Sequence, residues 1–285
     1  LVVLDLPGLP GAPDDTRPLV GAFAYPWPGQ VTVSAGRNET ALSSRAVLTR
    51  PSMIGRLSGT LNGGASDRFR PGTAVDIIFP DAELSSAART DVLNGANLIA
   101  IETVSGWMLA AFETAEQVAS DIWRVSDLLT GLYGTDDGAA VGASDGARVV
   151  VIDQALERAS VFEDEIGLEM IWQAVGPGTL GDTASETLTL SGRALLPFRP
   201  GHLKAVRIGS GDLDVSWTRR SRHSGDNWDQ SSVPLLEEAV EGINLVRQVR
   251  RLRCPNVFTD PFNEPFPVGW RETLSAVGIP ASALR

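Results

Sequence analysis

Gly211-Asp-Leu213-Asp-Val215-Ser-Trp217-Thr-Arg219-Arg220-Ser-Arg222-His223-Ser-Gly225-Asp226-Asn227-Trp228-Asp229-Gln-Ser-Ser-Val-Pro234 is the most informative stretch of the chain. Leu213, Val215 and Trp217 alternate with Asp212, Asp214, Ser216 and Thr218, the period-two pattern of a strand with one buried and one wet face. The alternation puts Trp217 on the buried side. Beyond it the chain turns basic, passes a turn at Ser224-Gly225-Asp226 and reaches a second tryptophan. Strand, exposed loop and anchor follow one another. Arg219, Arg220, Arg222, Asp226, Trp228 and Asp229 are the candidate contact residues, with Trp228 able to stack on Arg219 or Arg222 or on a sugar.

The same strand grammar runs through the rest of the sequence. Leu1 to Leu6 reads as a strand, and Pro7 to Pro18, with prolines at 7, 10, 13 and 18, as a linker from a preceding domain. Strand-like runs follow at Gln30 to Ser34, Ala46 to Thr49, Thr73 to Phe79, Leu98 to Glu102, Trp107 to Phe112 and Ile122 to Leu128. That spacing predicts an antiparallel sandwich or barrel. Asp81 to Leu93 holds at most a short helical turn, with Asp81 or Ser85 as its cap. Thr135 to Gly146 contains two Asp-Gly turns, and the β-branched run Ala147 to Asp153 then opens a second β unit. Leu168, Met170, Trp172 and Ala174 alternate with Glu169, Ile171, Gln173 and Val175, and across a turn built on Gly176 to Asp182 Leu188 and Leu190 alternate with Thr187 and Thr189, predicting a strand pair. Pro197 and Pro200 break the chain before His202 to Ile208. The expected architecture is mainly β, in consecutive antiparallel sandwich- or barrel-like domains: 1–18 strand and linker, 19–134 a β domain, 135–208 a second small β domain, 209–252 a third and incomplete one, and 253–285 an irregular proline-rich tail. Around Leu236 to Leu252 helical spacing and a strand near Gly242 to Val246 both fit. The direct entry on a strand at Leu1 suggests a fragment of a longer protein.

Composition excludes several classes. Apolar residues make up 43% and charged residues 21%, ordinary for globular domains. The formal net charge of -11 argues against a nucleic-acid surface, which shows a basic footprint over phosphate. Of 24 basic residues one is Lys204, leaving 23 arginines, a bias that fits a GC-rich genome without any binding role. The one cysteine, Cys254, has no internal disulfide partner, and no Cys/His spacing suggests zinc. No run of 18 apolar residues suggests a membrane span.

Two textual matches to catalytic signatures fail on context. Gly142-Ala-Ser144-Asp-Gly146 fits G-x-S-x-G, but that elbow needs a strand before the serine and a helix after it, and here a turn precedes and a β-branched strand follows. Gly176-Pro-Gly178-Thr-Leu-Gly181 fits G-x-G-x-x-G, yet an alternating strand follows where a dinucleotide site needs a helix N-terminus. Glu163-Asp164-Glu165 and the pair Asp226 and Asp229 lack calcium-loop spacing and read as solvated loops. His202 and His223 sit beside turns. Trp107, Trp123, Trp172 and Trp217 read as core, whereas Trp27, Trp228 and Trp270 lie by turns. No catalytic residue, cofactor or metal ligand is assigned.

The quoted stretch resembles the C-terminal, fibronectin-type-III-like region of the tail-tip "host specificity" (baseplate hub) proteins of gene transfer agents and related phage-like particles. Leu1-Val-Val-Leu-Asp-Leu-Pro7, Ala22-Phe-Ala-Tyr-Pro-Trp-Pro-Gly29, Leu48-Thr-Arg-Pro51, Val92-Leu-Asn-Gly-Ala-Asn97 and Val125-Ser-Asp-Leu-Leu-Thr-Gly-Leu-Tyr-Gly-Thr135 look like segments of the same family in the same order. The resemblance spans roughly Leu1 to Glu238 and stops before Val246-Arg-Gln-Val-Arg-Arg-Leu-Arg-Cys-Pro255. It implies a structural subunit of a particle tail that meets other tail or baseplate subunits, forms a homotrimer about a threefold axis, and serves attachment to a host receptor or glycan, or DNA delivery. The competing class is an extracellular carbohydrate-binding or carbohydrate-cleaving β protein, which an exposed aromatic row on a sheet face would favour.

Overall fold

Leu98-Ile-Ala-Ile101 and Met108-Leu-Ala-Ala-Phe112 carry no polar side because both faces of these strands are buried. One face fills the inside of a barrel, with Ile99, Ile101, Met108 and Ala110. The other, with Leu98, Ala100 and Leu109, meets Val2, Leu4 and Leu6 from the start of the chain. A short uninterrupted apolar run is what such a doubly covered strand requires.

The computed structural model describes residues 1–220 except Pro10, Gly11, Pro13, Asp14, 179–182, Pro197, Pro200, Ile208, 210–212 and Arg219. Residues 1–198 form one compact unit and the chain from Arg199 a second. Within the first, an outer segment supplies β1 (Val2–Leu4), β2 (Leu19–Gly21), β3 (Val31–Gly36) and β4 (Ser43–Leu48). A central segment supplies β5 (Ile54–Ser58), β6 (Leu61–Asn62), β7 (Arg68–Ile78), α1 (Arg89–Leu93), β8 (Leu98–Thr103), β9 (Gly106–Ala111), β10 (Thr114–Ala119), β11 (Ile122–Leu132), α2 (Asp136–Val141), β12 (Gly142–Ala143) and β13 (Arg148–Val151). The chain then returns to the outer sheets with β14 (Glu157–Arg158), β15 (Glu169–Val175) and β16 (Thr183–Thr189).

The central segment is a closed six-stranded antiparallel barrel in the order β11-β7-β5-β13-β8-β9, with β9 returning to β11. Between Ser126 and Leu128 the register of β11 against β7 slips, with Asp127, at φ 56°, opposite residues 71–73 of β7. On its other edge β11 pairs with β10 and then with β9 in one unbroken register, Ser126 facing Thr114 and Leu129 facing Ala111. The extra residues are therefore in β7, and an insertion of this kind bends the strand that carries it and sharpens its twist. Leu57, Val75, Ile77, Phe79, Phe112 and Val125 are among the side chains that pack the interior, so the barrel is a core and not a channel. Around it the outer segments form a three-stranded sheet β1-β2-β14 and a four-stranded sheet β16-β15-β3-β4. Trp172, Val33, Ala35 and Leu48 lie buried on the inner side of the latter.

The expected mainly β, antiparallel class is what the structure has. Several local readings change. The strand Arg148–Val151, expected to open a second unit, lies between β5 and β8 of the barrel, so a boundary at 134/135 cuts through one closed sheet. Of the stretch read as a linker, the described residues Pro7, Leu9 and Pro18 are buried, and β1 before it pairs with β2 after it. Asp137-Gly138 lies inside α2 and is no turn. Gly138 is needed there because a Cβ would come within 2.6 Å of the Met108 Cβ. The expected helical turn within 81–93 is α1, capped by neither Asp81 nor Ser85, since Ala88 stands at its N-terminus. In the second unit β17 (Gly201–Arg207) pairs antiparallel with β18 (Leu213–Thr218), the strand of the quoted stretch. The chain beyond Arg220, including the region to 252 and the tail 253–285, lies outside the described residues.

Candidate functional site

Of the candidate contact residues only Arg220 is described, half-buried just past β18. Arg219, Arg222, Asp226, Trp228 and Asp229 lie outside the described residues, as does the side chain of Trp217.

Ser144 follows α2 and the two-residue strand β12 and is followed by β13, so the helix that must come after the serine of a nucleophile elbow is not there. The glycines of that match serve the turn. Gly142 sits at φ +73° where a Cβ would fall 2.2 Å from the Leu61 carbonyl oxygen, and Asp145 accepts a hydrogen bond from the Gly59 N–H at 2.7 Å. Gly176 to Gly181 connects β15 to β16, an antiparallel hairpin with no helix after it. Among the described residues no group of three His, Cys, Asp or Glu is placed to hold a metal ion.

The chemistry of this unit lies in arginine clamps. Arg148, at the start of β13, donates through Nε and Nη2 to Glu102 at 2.9 and 2.8 Å. It donates through Nη1 and Nη2 to Glu186 of β16 at 3.1 and 2.8 Å. Its guanidinium stands 5.2 Å from the Trp107 ring, whose indole N–H donates to the Val3 carbonyl. One side chain thus ties barrel, four-stranded sheet and first strand together. Those hydrogen bonds hold the Glu102 carboxyl below its ordinary range. Arg193 donates to both oxygens of Asp137 and to the Gly134 carbonyl, while its backbone N–H and the Ser191 N–H and hydroxyl donate to Asp5.

Arg45, 8% exposed, is the third clamp. It donates to Glu165 at 3.0 and 2.5 Å and to the Ser160 carbonyl at 3.2 Å. Glu165 therefore has a structural partner, whereas the sequence alone reads its acidic triplet as a solvated loop. Burial pushes its carboxyl up, but hydrogen bonds from Arg45 and the Phe162 N–H, with the charges of Arg45 and Arg37, outweigh that and hold it below the usual range. These arginines escape sequence reading because their partners are distant in the chain. Arg45 stands at the register irregularity of β4, between Ser44 and Ala46, where alternation does not tell which way a side chain faces.

Of the tryptophans read as core, Trp172 is fully buried, while Trp107 and Trp123 are half-buried with their indole N–H groups bonded to the Val3 and Ala82 carbonyls. Trp27 is half-buried against the outer-sheet core. Exposed aromatics among the described residues include Tyr25, 82% exposed, and Phe162, both outside the named strands. Side-chain clamps thus join the barrel to the four-stranded sheet and to the first strand.

No curated protein matches this chain. A family model described as Rcc01698-like, C-terminal, a name associated with gene transfer agent proteins, matches residues 52–150, which is the barrel from just before β5 to the last residues of β13.

Proposed function

We propose that the chain is part of a structural tail-tip or baseplate protein of a gene-transfer-agent-like or phage-like particle, and that it catalyses no reaction. The observation that carries this reading is the coincidence of the Rcc01698-like match with one complete architectural element, the closed barrel. Its partners are other tail or baseplate subunits, with itself as a homotrimer about a threefold axis, and its place is the particle tail. The region after Arg199 is the start of a fibronectin-type-III-like domain, whose loop through Arg219, Arg220, Arg222, Asp226, Trp228 and Asp229 meets a neighbouring subunit or a host receptor or glycan. If the tail delivers DNA, the path runs between subunits, because the barrel interior is filled. A net charge of -11 suits a wall that does not grip phosphate. The carbohydrate-protein alternative wants an aromatic row on a sheet face, and Tyr25 and Phe162 do not supply one.

Antibody against 211–234, applied to purified particles under the electron microscope, is expected to label the tail tip. Label on heads or on no particle component would sink the reading. Arg219→Ala with Arg222→Ala is expected to leave the melting curve within about 0.5 kcal/mol of the parent, as for surface positions, while lowering adsorption to host cells. Unchanged adsorption would remove the loop from the contact.

A further inference from the structure

The backbone ladders that join the two outer segments reach across the whole barrel. β2 with β14 and β3 with β15 pair positions 135 to 143 apart in the chain, whereas β1 with β2, β3 with β4 and β15 with β16 are local pairs. Isolated pairs of strands are marginal in water, so the outer sheets hold only once the distant ladders form. The barrel is built differently. Its ladders other than β5 with β13 pair positions at most 62 apart. Every buried member of its interior cluster lies between Leu57 and Val149, and the outer-sheet cluster around Trp172 takes no buried member from 52–151. The two places where the chain crosses between them lie side by side. The Val151 N–H donates to the Met53 carbonyl at 3.0 Å, Ile54 faces Val150, and the Ser52 hydroxyl donates to the Ala155 carbonyl at 3.3 Å.

We propose that the barrel folds first and is the clip that brings the two outer segments into register. Two physical effects set this order. Closing the barrel places residues 52 and 151 together, so the pairing of Val33 with Ala174 no longer closes a loop of 141 positions but one made of the 19 before residue 52 and the 23 after residue 151. Closure probability falls as the three-halves power of loop length, which makes that pairing about sixfold more probable once the barrel stands. The barrel also supplies a surface. Leu98, Ala100, Leu109 and Val150 on its outside form the floor under Val2, Leu4 and Leu6, so that side of β1 has nothing to bury against until β8, β9 and β13 are in place. The order follows from topology and burial and does not depend on the tail reading.

Refolding of the full chain from urea, followed by pulsed hydrogen exchange and mass spectrometry of peptides, tests it. Peptides of β8, β9 and β11 are expected to gain protection roughly tenfold sooner than those of β3 and β15, as nearer pairings form faster than distant ones. Between the two phases the uncovered barrel face is expected to bind a hydrophobic dye, whose fluorescence falls as β3 and β15 become protected. Trp172→Ala is expected to leave the protection rate of β8 and β9 within about twofold of the parent while delaying that of β3 and β15, since its contacts form in the later step. Protection of β3 and β15 as early as that of β8 and β9 overturns the proposal, as does a Trp172→Ala variant that slows the barrel as much as the outer sheet.

Discussion

Replacing Trp172 by alanine is expected to cause the largest loss of stability of any single change in the first unit. The ring is 1% exposed and lies among Val33, Ala35, Leu48, Met170 and Leu190 on the inner side of the four-stranded sheet. Truncating an aromatic side chain in such a place costs about 3–5 kcal/mol, from lost transfer free energy and from the cavity left behind. In a unit of this size each kcal/mol moves the melting temperature by about 2–4 °C, so the midpoint falls by roughly 6–20 °C. Trp172→Phe is expected to cost much less. The indole N–H is buried without a hydrogen-bond partner, and phenylalanine removes that unsatisfied donor while keeping most of the apolar area. Urea and thermal unfolding followed by circular dichroism check both variants. An alanine variant within about 1 kcal/mol of the parent would mean that the sheet is not closed around this ring.

Arg45→Ala is expected to be next in size. The Arg45 side chain is 5% exposed and that of Glu165 15%, so removing the guanidinium leaves a largely buried carboxylate with the Phe162 N–H as its remaining donor. Breaking one half of a buried ion pair costs about 3–5 kcal/mol, while replacing both partners by apolar residues of similar volume is often close to neutral. Arg45→Met with Glu165→Leu should therefore be more stable than Arg45→Ala alone, and the reverse order would refute this account of the clamp. The pair also fixes a pH dependence. In the fold the Glu165 carboxyl ionises below its ordinary value of 4.5. Its charged form thus contributes stability above that value, and the contribution is lost as pH falls through the lowered folded value. Acid unfolding of the parent should be steeper below pH 4.5 than that of Arg45→Ala. Equal slopes in a urea-midpoint series against pH would contradict it.

The extent to which the sequence discloses this unit varies from strand to strand. β15 is legible because Met170, Trp172 and Ala174 alternate with Ile171, Gln173 and Val175, and its inner and outer faces are those of the alternation. β8 and β9 are legible as strands from their apolar runs, though not which two cores they separate. β10 is hidden: Thr114–Ala119 is exposed almost throughout, so no buried side imposes a period on it. α2 reads as a turn because Asp-Gly is a strong local turn signal, and only the approach of Met108 explains the glycine. The candidate contact loop rests on one stretch.

By itself the sequence determined the mainly β class, most of the strands and which side of β15 is buried, because strand formation and amphipathic alternation are properties of a few neighbouring residues. Tertiary structure alone decided that β3 pairs with β15 across an inserted barrel, that β9 returns to β11 to close that barrel, and that Arg148 binds Glu102 and Glu186 at once. Each depends on a partner far along the chain. Period-two alternation says which way a side chain faces, but it carries no information on which distant strand will lie beside it.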